Sequence, residues 1–138
     1  MNVYLDSSVA LRRLRREAAP IAHWGEWEHA YASVLLRLEV LRTIDRMRLH
    51  GTLTDDQVVA LISQSHDIFG AIDFVPLSAA ILGRAEQSFR TALGTLDALH
   101  LSTALLLRET EGVVLTFLTH DTELAVAARS DNFPVDGA

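Results

Sequence analysis

The chain has 138 residues, of which 49% are hydrophobic and three are proline, and this composition excludes a disordered or low-complexity protein. It has no cysteine, which excludes disulfides, zinc fingers and thiol catalysis, and all 12 basic residues are arginine, which excludes a P-loop, a Schiff-base enzyme and a phospho-receiver domain of the usual kind. The net charge of −6 argues against a general nucleic-acid coat, but it is compatible with a nuclease whose acidic residues bind metal.

Length and hydropathy predict the domain organisation and location. A chain of this size is expected to form a single domain, residues 1–138, that buries roughly two thirds of its unfolded surface. No apolar run approaches the ~18–20 residues that span a bilayer. The N-terminal residues contain neither a basic segment nor an apolar signal core. We therefore expect a soluble, cytoplasmic protein that does not associate with a membrane.

The first predicted strand runs from Asn2 to Leu5 and ends at Asp6, and Ser7 and Ser8 then begin a helix. Asp6 is either a helix cap or a functional carboxylate at the end of a buried strand. The helix carries a cluster of basic residues in an otherwise acidic protein, and such a run usually forms a solvated face: Arg12, Arg13, Arg15 and Arg16.

Pro20 is predicted to begin a second, short helix that contains Trp24 and Trp27. An aromatic pair three residues apart is typical of a core, and it also suits a surface that binds a partner. Tyr31 to Val34 indicates a brief second strand.

The residues from Ser33 to His50 have the clearest helical pattern of the chain, with Glu39 placed among leucines. Glu39 could form an ordinary surface pair with Arg42, one turn later. Its apolar neighbours favour a half-buried position instead. Arg46 extends the same helix face.

A capping box at Thr54 to Gln57 predicts the next helix, which runs to about Phe69. A strand from Ile72 to Val75 follows. Ser78 is then expected to cap a helix that ends near Arg90.

The helix from Thr95 to Arg108 is apolar on nearly every side, which predicts burial. Thr95 can cap it, and Asp97 and His100 lie three residues apart on one face. Asp97 is either a first-turn acid favoured by the helix dipole or a functional carboxylate. His100 is either a hydrogen-bonded core histidine or a group that supports a ligand.

The residues from Val113 to Thr119 form the clearest strand in the sequence, and it leads into His120 and Asp121. A helix follows, and a last short strand is predicted at Phe133 to Val135.

Strands that alternate with helices predict a parallel sheet covered on both faces, with ligands bound at the C-terminal ends of the strands. Two of these strands end in Asp6 and Asp121, while Glu39 and Asp97 lie in apolar helices that pack near the sheet. Four carboxylates in apolar surroundings repel one another unless divalent cations neutralise them. Oxygen ligands suit Mg²⁺ or Mn²⁺, which assist phosphoryl transfer.

These residues resemble a PIN domain, in particular the VapC-type toxins of bacterial toxin–antitoxin pairs. The similarity spans nearly the whole chain and rests on four motifs: Tyr4-Leu5-Asp6-Ser7-Ser8, the helical Glu39, Leu96 to Ala104, and Leu118 to Asp121 with the helix after it. Two features depart from the family pattern. Glu39 has no strong motif of its own, and the tail Arg129-Ser130-Asp131-Asn132-Phe133 stands where the family often has a glycine before its final strand.

The resemblance implies an α/β three-layer sandwich in which helices cover both faces of a mostly parallel sheet of four or five strands. It also implies a Mg²⁺- or Mn²⁺-dependent endoribonuclease that acts as a toxin. Its acidic positions are Asp6, Glu39, Asp97 and Asp121, of which Asp6, Asp97 and Asp121 bind metal. Its supporting polar positions are Ser7, Ser8 and Thr119.

The implied partners are an RNA substrate, a cognate antitoxin protein and a second copy of the chain. We expect four arginines to bind the RNA backbone, because they are clustered in the sequence or share the helix face of Glu39: Arg12, Arg13, Arg42 and Arg46. A non-cleaving module that binds RNA or protein on the same fold is the alternative. An aspartate phosphatase fits poorly, because its motif has a second aspartate two residues after the first, and Ser8 stands at that position. A serine hydrolase also fits poorly, because neither Ser7 nor Ser8 lies in a glycine-flanked elbow.

Overall fold

The computed structural model describes all 138 residues, and its five strands and six helices follow one another with few long connections. The strands are β1 (Asn2–Leu5), β2 (His29–Ser33), β3 (Asp73–Val75), β4 (Leu115–Leu118) and β5 (Val135–Asp136). The helices are α1 (Ser7–Leu14), α2 (Val34–Leu49), α3 (Asp55–Gly70), α4 (Ala79–Ala85), α5 (Thr95–Glu111) and α6 (Thr122–Ser130). None of the helices combines the length and the apolar character needed to cross a lipid bilayer.

The strands form one parallel sheet in the order β3-β2-β1-β4-β5, so β1 occupies its centre. Neighbouring side chains of β1 point to opposite faces. Val3 and Leu5 pack into a core cluster with residues of α1, α2 and α3. Tyr4 packs into a second cluster with residues of α5 and α6. The predicted α/β sandwich with helices on both faces of the sheet is therefore confirmed.

The helix ends confirm most of the sequence prediction and correct one part of it. Thr54 forms both bonds of the predicted capping box, and Ser33 and Ser78 cap α2 and α4. Thr95 does not cap α5, because the capping position is Gly94, which has no side chain. Thr95 is instead the first residue of the helix.

The predicted helix that begins at Pro20 is wrong. Residues 20–28 form turns, and His23 and Gly25 have left-handed φ angles of 59° and 85°, which no right-handed helix accommodates. Trp24 and Trp27 still contact each other edge to face, with ring centroids 5.2 Å apart, and pack against the core as half-buried side chains.

The helix after Ser78 is also shorter than predicted. It ends at Ala85, because Arg84 folds back over the ring of Phe89 and donates a hydrogen bond to the carbonyl of Ser88. The tail before the final strand, which lacks the glycine that the family often has there, turns at Asn132 with a left-handed φ of 66°. Asparagine tolerates this conformation better than most residues, so the turn forms without glycine.

Candidate active site

Asp6 and Asp121 lie at the same edge of the sheet, because they follow the neighbouring parallel strands β1 and β4. Each caps the helix that comes next. Asp6 accepts a bond from the backbone of Ser8, and Asp121 accepts one of 3.0 Å from the backbone N–H of Leu124. Carboxylates at helix N-termini are stabilised by the helix dipole, which favours their charged form.

The side chain of Asp6 is anchored through one of its two oxygens. Its Oδ2 accepts hydrogen bonds from the hydroxyls of Ser8 at 2.6 Å and Thr119 at 2.8 Å. The same two hydroxyls accept bonds from the backbone N–H groups of His120 and Asp121, which ties the end of β4 to the end of β1. The structure thus places Ser8 and Thr119 beside Asp6, while Oδ1 of Asp6 receives no hydrogen bond.

Glu39 reaches the site from the second turn of α2. Its Oε1 accepts bonds from the hydroxyl of Ser7 at 2.8 Å and from Nε2 of His100 at 2.7 Å. Its side chain is 27% exposed, which confirms the half-buried position. The possible surface pair with Arg42 does not form, because Arg42 pairs with Asp45 at 3.0 Å.

The ionisation of Glu39 follows from these contacts. Burial by itself raises the pKa of Glu39, but the hydrogen bond and the charge of His100, together with the bond from Ser7, lower this pKa below its usual value. Burial likewise opposes a charge on His100, and the bond to Glu39 and the nearby charges of Asp6, Glu39 and Asp97 raise the pKa of His100. The two shifts agree and describe a charged, hydrogen-bonded pair.

Asp97 lies in the first turn of α5, as predicted, and its side chain makes no hydrogen bond within the protein. Partial burial raises its pKa from 3.8 to about 6, and the negative charges of Asp121 and Asp6 add to the effect. The carboxylates of Asp121 and Asp6 therefore repel that of Asp97.

His100 and Tyr4 are central to the site, although the sequence alone assigned no role to Tyr4. His100 is 1% exposed, and its Nδ1 lies 3.3 Å from the hydroxyl of Tyr4. That hydroxyl also accepts a bond of 3.2 Å from the backbone N–H of Ser33. In the sequence, the only indication of a role for His100 was its position three residues after Asp97 in an otherwise apolar helix.

The donor set fits a hard divalent cation in its chemistry. Asp6, Asp97 and Asp121 supply only oxygen, and each has an oxygen that no protein group occupies. A cation there would neutralise the carboxylate of Asp97, whose pKa is raised first by burial and then by the negative charges of Asp121 and Asp6. No three acidic or histidine side chains are close enough to form a ready-made cage, so the carboxylates would have to move together around an ion.

The four arginines predicted to bind RNA lie in two pairs, one on α1 and one on α2. Arg12 and Arg13 lie on the last turns of α1, where they line a cleft of about 830 Å³ with Trp24 and Trp27. The cleft also borders residues that precede β2 and β3, so it lies at the opposite end of the sheet from the acids. Arg13 stacks on Trp24, with 4.7 Å from its guanidinium carbon to the ring centroid.

The arginines of α2 lie on the same helix as Glu39. Arg42 and Arg48 share the carboxylate of Asp45. The side chain of Arg46 is exposed and makes no hydrogen bond or ion pair, and Arg37, also exposed, lies over the ring of Phe69 without a carboxylate partner. Of the two predicted arginines of this helix, Arg46 is therefore the one whose charge no acid shares.

Comparison with known proteins gives consistent matches. Ribonuclease VapC47 of Mycobacterium tuberculosis is 25% identical over 138 residues, covering 95% of this chain and 93% of that protein. The fold is similar to the crystal structure of VapBC2 from Rickettsia felis bound to a DNA fragment from its promoter, with a TM-score of 0.65, 15% identity and coverage of 99% and 98% of the two chains. A toxin–antitoxin complex from Klebsiella pneumoniae matches with a TM-score of 0.55, 17% identity and coverage of 88% of both chains. The family model of the PIN domain matches residues 3–130, and the chain therefore belongs to the PIN domain family.

Proposed function

We propose that this chain, as one domain over residues 1–138, is a Mg²⁺- or Mn²⁺-dependent endoribonuclease that acts as the toxin of a toxin–antitoxin pair. The observation that carries the proposal is the placement of four acids at one edge of the sheet. Asp6 and Asp121 follow the neighbouring strands β1 and β4, and Glu39 accepts a bond from Ser7, the residue after Asp6. Asp97 is near enough for the negative charges of Asp121, Asp6 and Glu39 to raise its pKa. Membership of the PIN family and the similarity to a protein named ribonuclease VapC47 support RNA as the substrate.

The residues divide into those that would hold the ion and those that orient them. Asp6, Asp97 and Asp121 would hold the cation, which when bound supplies a water of lowered pKa and stabilises the leaving oxygen of the phosphodiester. Hydroxyl groups on either side of Asp6 fix its Oδ2 and leave Oδ1 for the ligand. Glu39 has Oε1 fixed and Oε2 free, so it can accept a hydrogen bond from the attacking water.

Backbone phosphates of the RNA need a positive partner, because the site itself is acidic. Arg46 is the best placed of the predicted arginines, since it is exposed and unpaired on the helix of Glu39. Arg42 contributes less, because Asp45 shares its charge. Arg12 and Arg13 would contact an RNA only where it extends to the opposite end of the sheet.

A cognate antitoxin and a second copy of this chain are the proposed protein partners. Two similar structures are described as VapBC2 and as a toxin–antitoxin complex, which supports an antitoxin. An arginine of the antitoxin inserted among the acids would form charge-assisted bonds with two carboxylates. The cleft beside Trp24 and Trp27 offers apolar anchoring for an amphipathic segment of the same partner. Symmetric pairs are the commonest assemblies of soluble proteins, which supports a dimer.

Expression in a bacterial host tests the toxin proposal. We expect the wild-type chain to arrest growth, co-expression of its cognate antitoxin to restore growth, and Asp97→Asn to be harmless at equal protein level. Harmless expression of the folded, metal-binding wild-type chain would contradict a toxin and would indicate a housekeeping nuclease or a binding module.

The second candidate is a non-cleaving module that binds RNA or protein. The observation that favours it is the lack of a ready-made cage among the acids. Metal titration separates the two candidates. Such a module binds RNA equally well with and without Mn²⁺ and leaves it intact, whereas the proposed enzyme cleaves RNA only when the ion is present.

A further inference from the structure

His100 lies beneath the acidic site, at the point where four elements of the fold meet. It belongs to α5, and its ring atoms contact side chains from α1, α2 and β1. Nε2 lies 2.7 Å from Oε1 of Glu39, 3.3 Å from the hydroxyl of Ser7 and 3.7 Å from Oδ1 of Asp6. All the polar contacts of this buried ring are therefore made with side chains, and three of them belong to the candidate site.

The hydrogen on Nε2 follows from its neighbours. The carboxylates of Glu39 and Asp6 can only accept hydrogen bonds when ionised. The hydroxyl of Ser7 donates its own hydrogen to Oε1 of Glu39, so it too presents a lone pair to the ring. Nε2 must therefore carry a hydrogen and donate it to Glu39. Without that hydrogen, Nε2 would itself be an acceptor and would face three oxygen acceptors with no donor among them.

The other side of the ring is held by Tyr4. Its hydroxyl is fixed by the backbone N–H of Ser33, the residue that caps α2, and lies 3.3 Å from Nδ1 of His100. A hydroxyl can accept from a charged ring or donate to a neutral one. The contact is thus satisfied in both protonation states, and it fixes the direction in which Nε2 points.

We propose that His100 is a positioning residue that, clamped by Tyr4, holds Oε1 of Glu39 so that the free Oε2 faces the reacting atoms. This inference rests on the proposed ribonuclease function. Glu39 reaches the site on a long side chain from the second turn of α2, and the bonds from His100 and Ser7 hold its carboxylate. Without the ring, only the bond from Ser7 would remain, and a single bond fixes neither the rotation nor the position of a carboxylate.

A ring that served only to fill the core would have different surroundings. The ring nitrogens of a core histidine can form their hydrogen bonds with backbone carbonyls. The nitrogens of His100 instead contact the carboxylate of Glu39 and the hydroxyl of Tyr4. Groups that orient a catalytic side chain typically alter activity 10- to 100-fold when they are removed. That range separates positioning from packing, because a packing defect lowers the folded fraction and leaves the rate per folded molecule unchanged.

The experiment compares three variants and measures kcat and KM for cleavage of a short RNA with Mn²⁺, per folded molecule. His100→Leu removes both ring nitrogens, and His100→Gln keeps an N–H donor at a similar distance along the side chain. Leu105→Val is the matched control, since it shortens a buried side chain of the same helix, in the core cluster that contains Tyr4, and removes no polar contact. Crystal structures of the metal-free His100 variants add a readout independent of activity, the position of the Glu39 carboxylate.

We expect His100→Leu to lower kcat on the order of 10- to 100-fold with KM nearly unchanged, and His100→Gln to retain most of the rate. Leu105→Val should match the wild type. In a Glu39→Gln background, His100→Leu should cause no further loss, because its effect acts through Glu39. In the crystal structure of His100→Leu, the Glu39 carboxylate should leave its wild-type position.

Three results would overturn the inference: an unchanged kcat in His100→Leu, an equal loss of kcat in the Glu39→Gln background, or a Glu39 carboxylate that stays in place without the ring. Failure of the proposed function is distinguishable from these. If the wild-type protein does not cleave RNA with Mn²⁺, the ribonuclease proposal fails, and the position of the Glu39 carboxylate alone decides whether His100 positions it.

Discussion

Replacing Asp97 with asparagine should stabilise the metal-free protein at neutral pH. The rise of the Asp97 pKa from 3.8 to about 6 corresponds to about 3 kcal/mol of lost stability once the group is ionised. Asp97 is partly exposed, so solvent screening reduces this cost to about 1 kcal/mol. The folded chain binds the Asp97 proton more tightly than the unfolded chain does. The stabilising contribution is therefore complete below pH 3.8 and is lost as the pH rises through about 6.

Urea denaturation with EDTA present, followed by circular dichroism, measures this effect. At about pH 7.5 we expect Asp97→Asn to gain about 1 kcal/mol over the wild type, and at about pH 4 the difference should nearly vanish because the folded wild type is protonated there. Asp55→Asn, which removes an exposed acid from the first turn of α3, is the control and should be neutral or slightly destabilising. A loss of stability in Asp97→Asn at neutral pH, or an equal gain at both pH values, would refute the proposed cost of the half-buried Asp97 charge.

Three further predictions concern the ion, the support of Asp6 and the RNA. Adding Mn²⁺ should raise the Tm of the wild type by a few degrees and leave that of Asp97→Asn unchanged, and an equal shift in both proteins would place the ion elsewhere. Thr119→Val removes the 2.8 Å bond to Asp6 and should weaken Mn²⁺ binding about 10- to 100-fold in a calorimetric titration, whereas unchanged affinity would show that this hydroxyl is dispensable. Arg46→Gln should reduce the salt dependence of RNA binding by about one unit of log–log slope, with a smaller effect for Arg42→Gln, and equal slopes in all three proteins would leave both arginines as merely solvated.

Local sequence patterns predicted the elements that local interactions determine. The apolar run before Asp6, the capping box at Thr54 and the helix after Ser33 all form as expected, because their signals lie within a few residues. The turns at residues 20–28 were mistaken for a helix. The tryptophan spacing is helical there, but the chain turns at His23 and Gly25, whose φ angles are left-handed, and both tryptophans still pack against the core.

The site was predictable in its residue types but not in its contacts. Helical periodicity placed Glu39 on a half-buried face, yet its partner His100 lies 61 residues away, and no spacing in the sequence encodes that bond. The one candidate partner that the sequence offered within a turn of Glu39 was Arg42, which pairs with Asp45 instead. The parallel, side-by-side pairing of β1 and β4 brings Asp6 and Thr119 together, and only the sheet order reveals it.

Cleavage of a labelled single-stranded RNA by the purified protein tests the central claim most directly. The account predicts that the wild type cuts the RNA with Mg²⁺ or Mn²⁺, that EDTA stops the reaction, and that Asp97→Asn is inactive although it is folded and at least as stable. Cleavage by Asp97→Asn at the wild-type rate, or by the wild type at an undiminished rate in EDTA, would contradict the metal-dependent mechanism assigned to these acids.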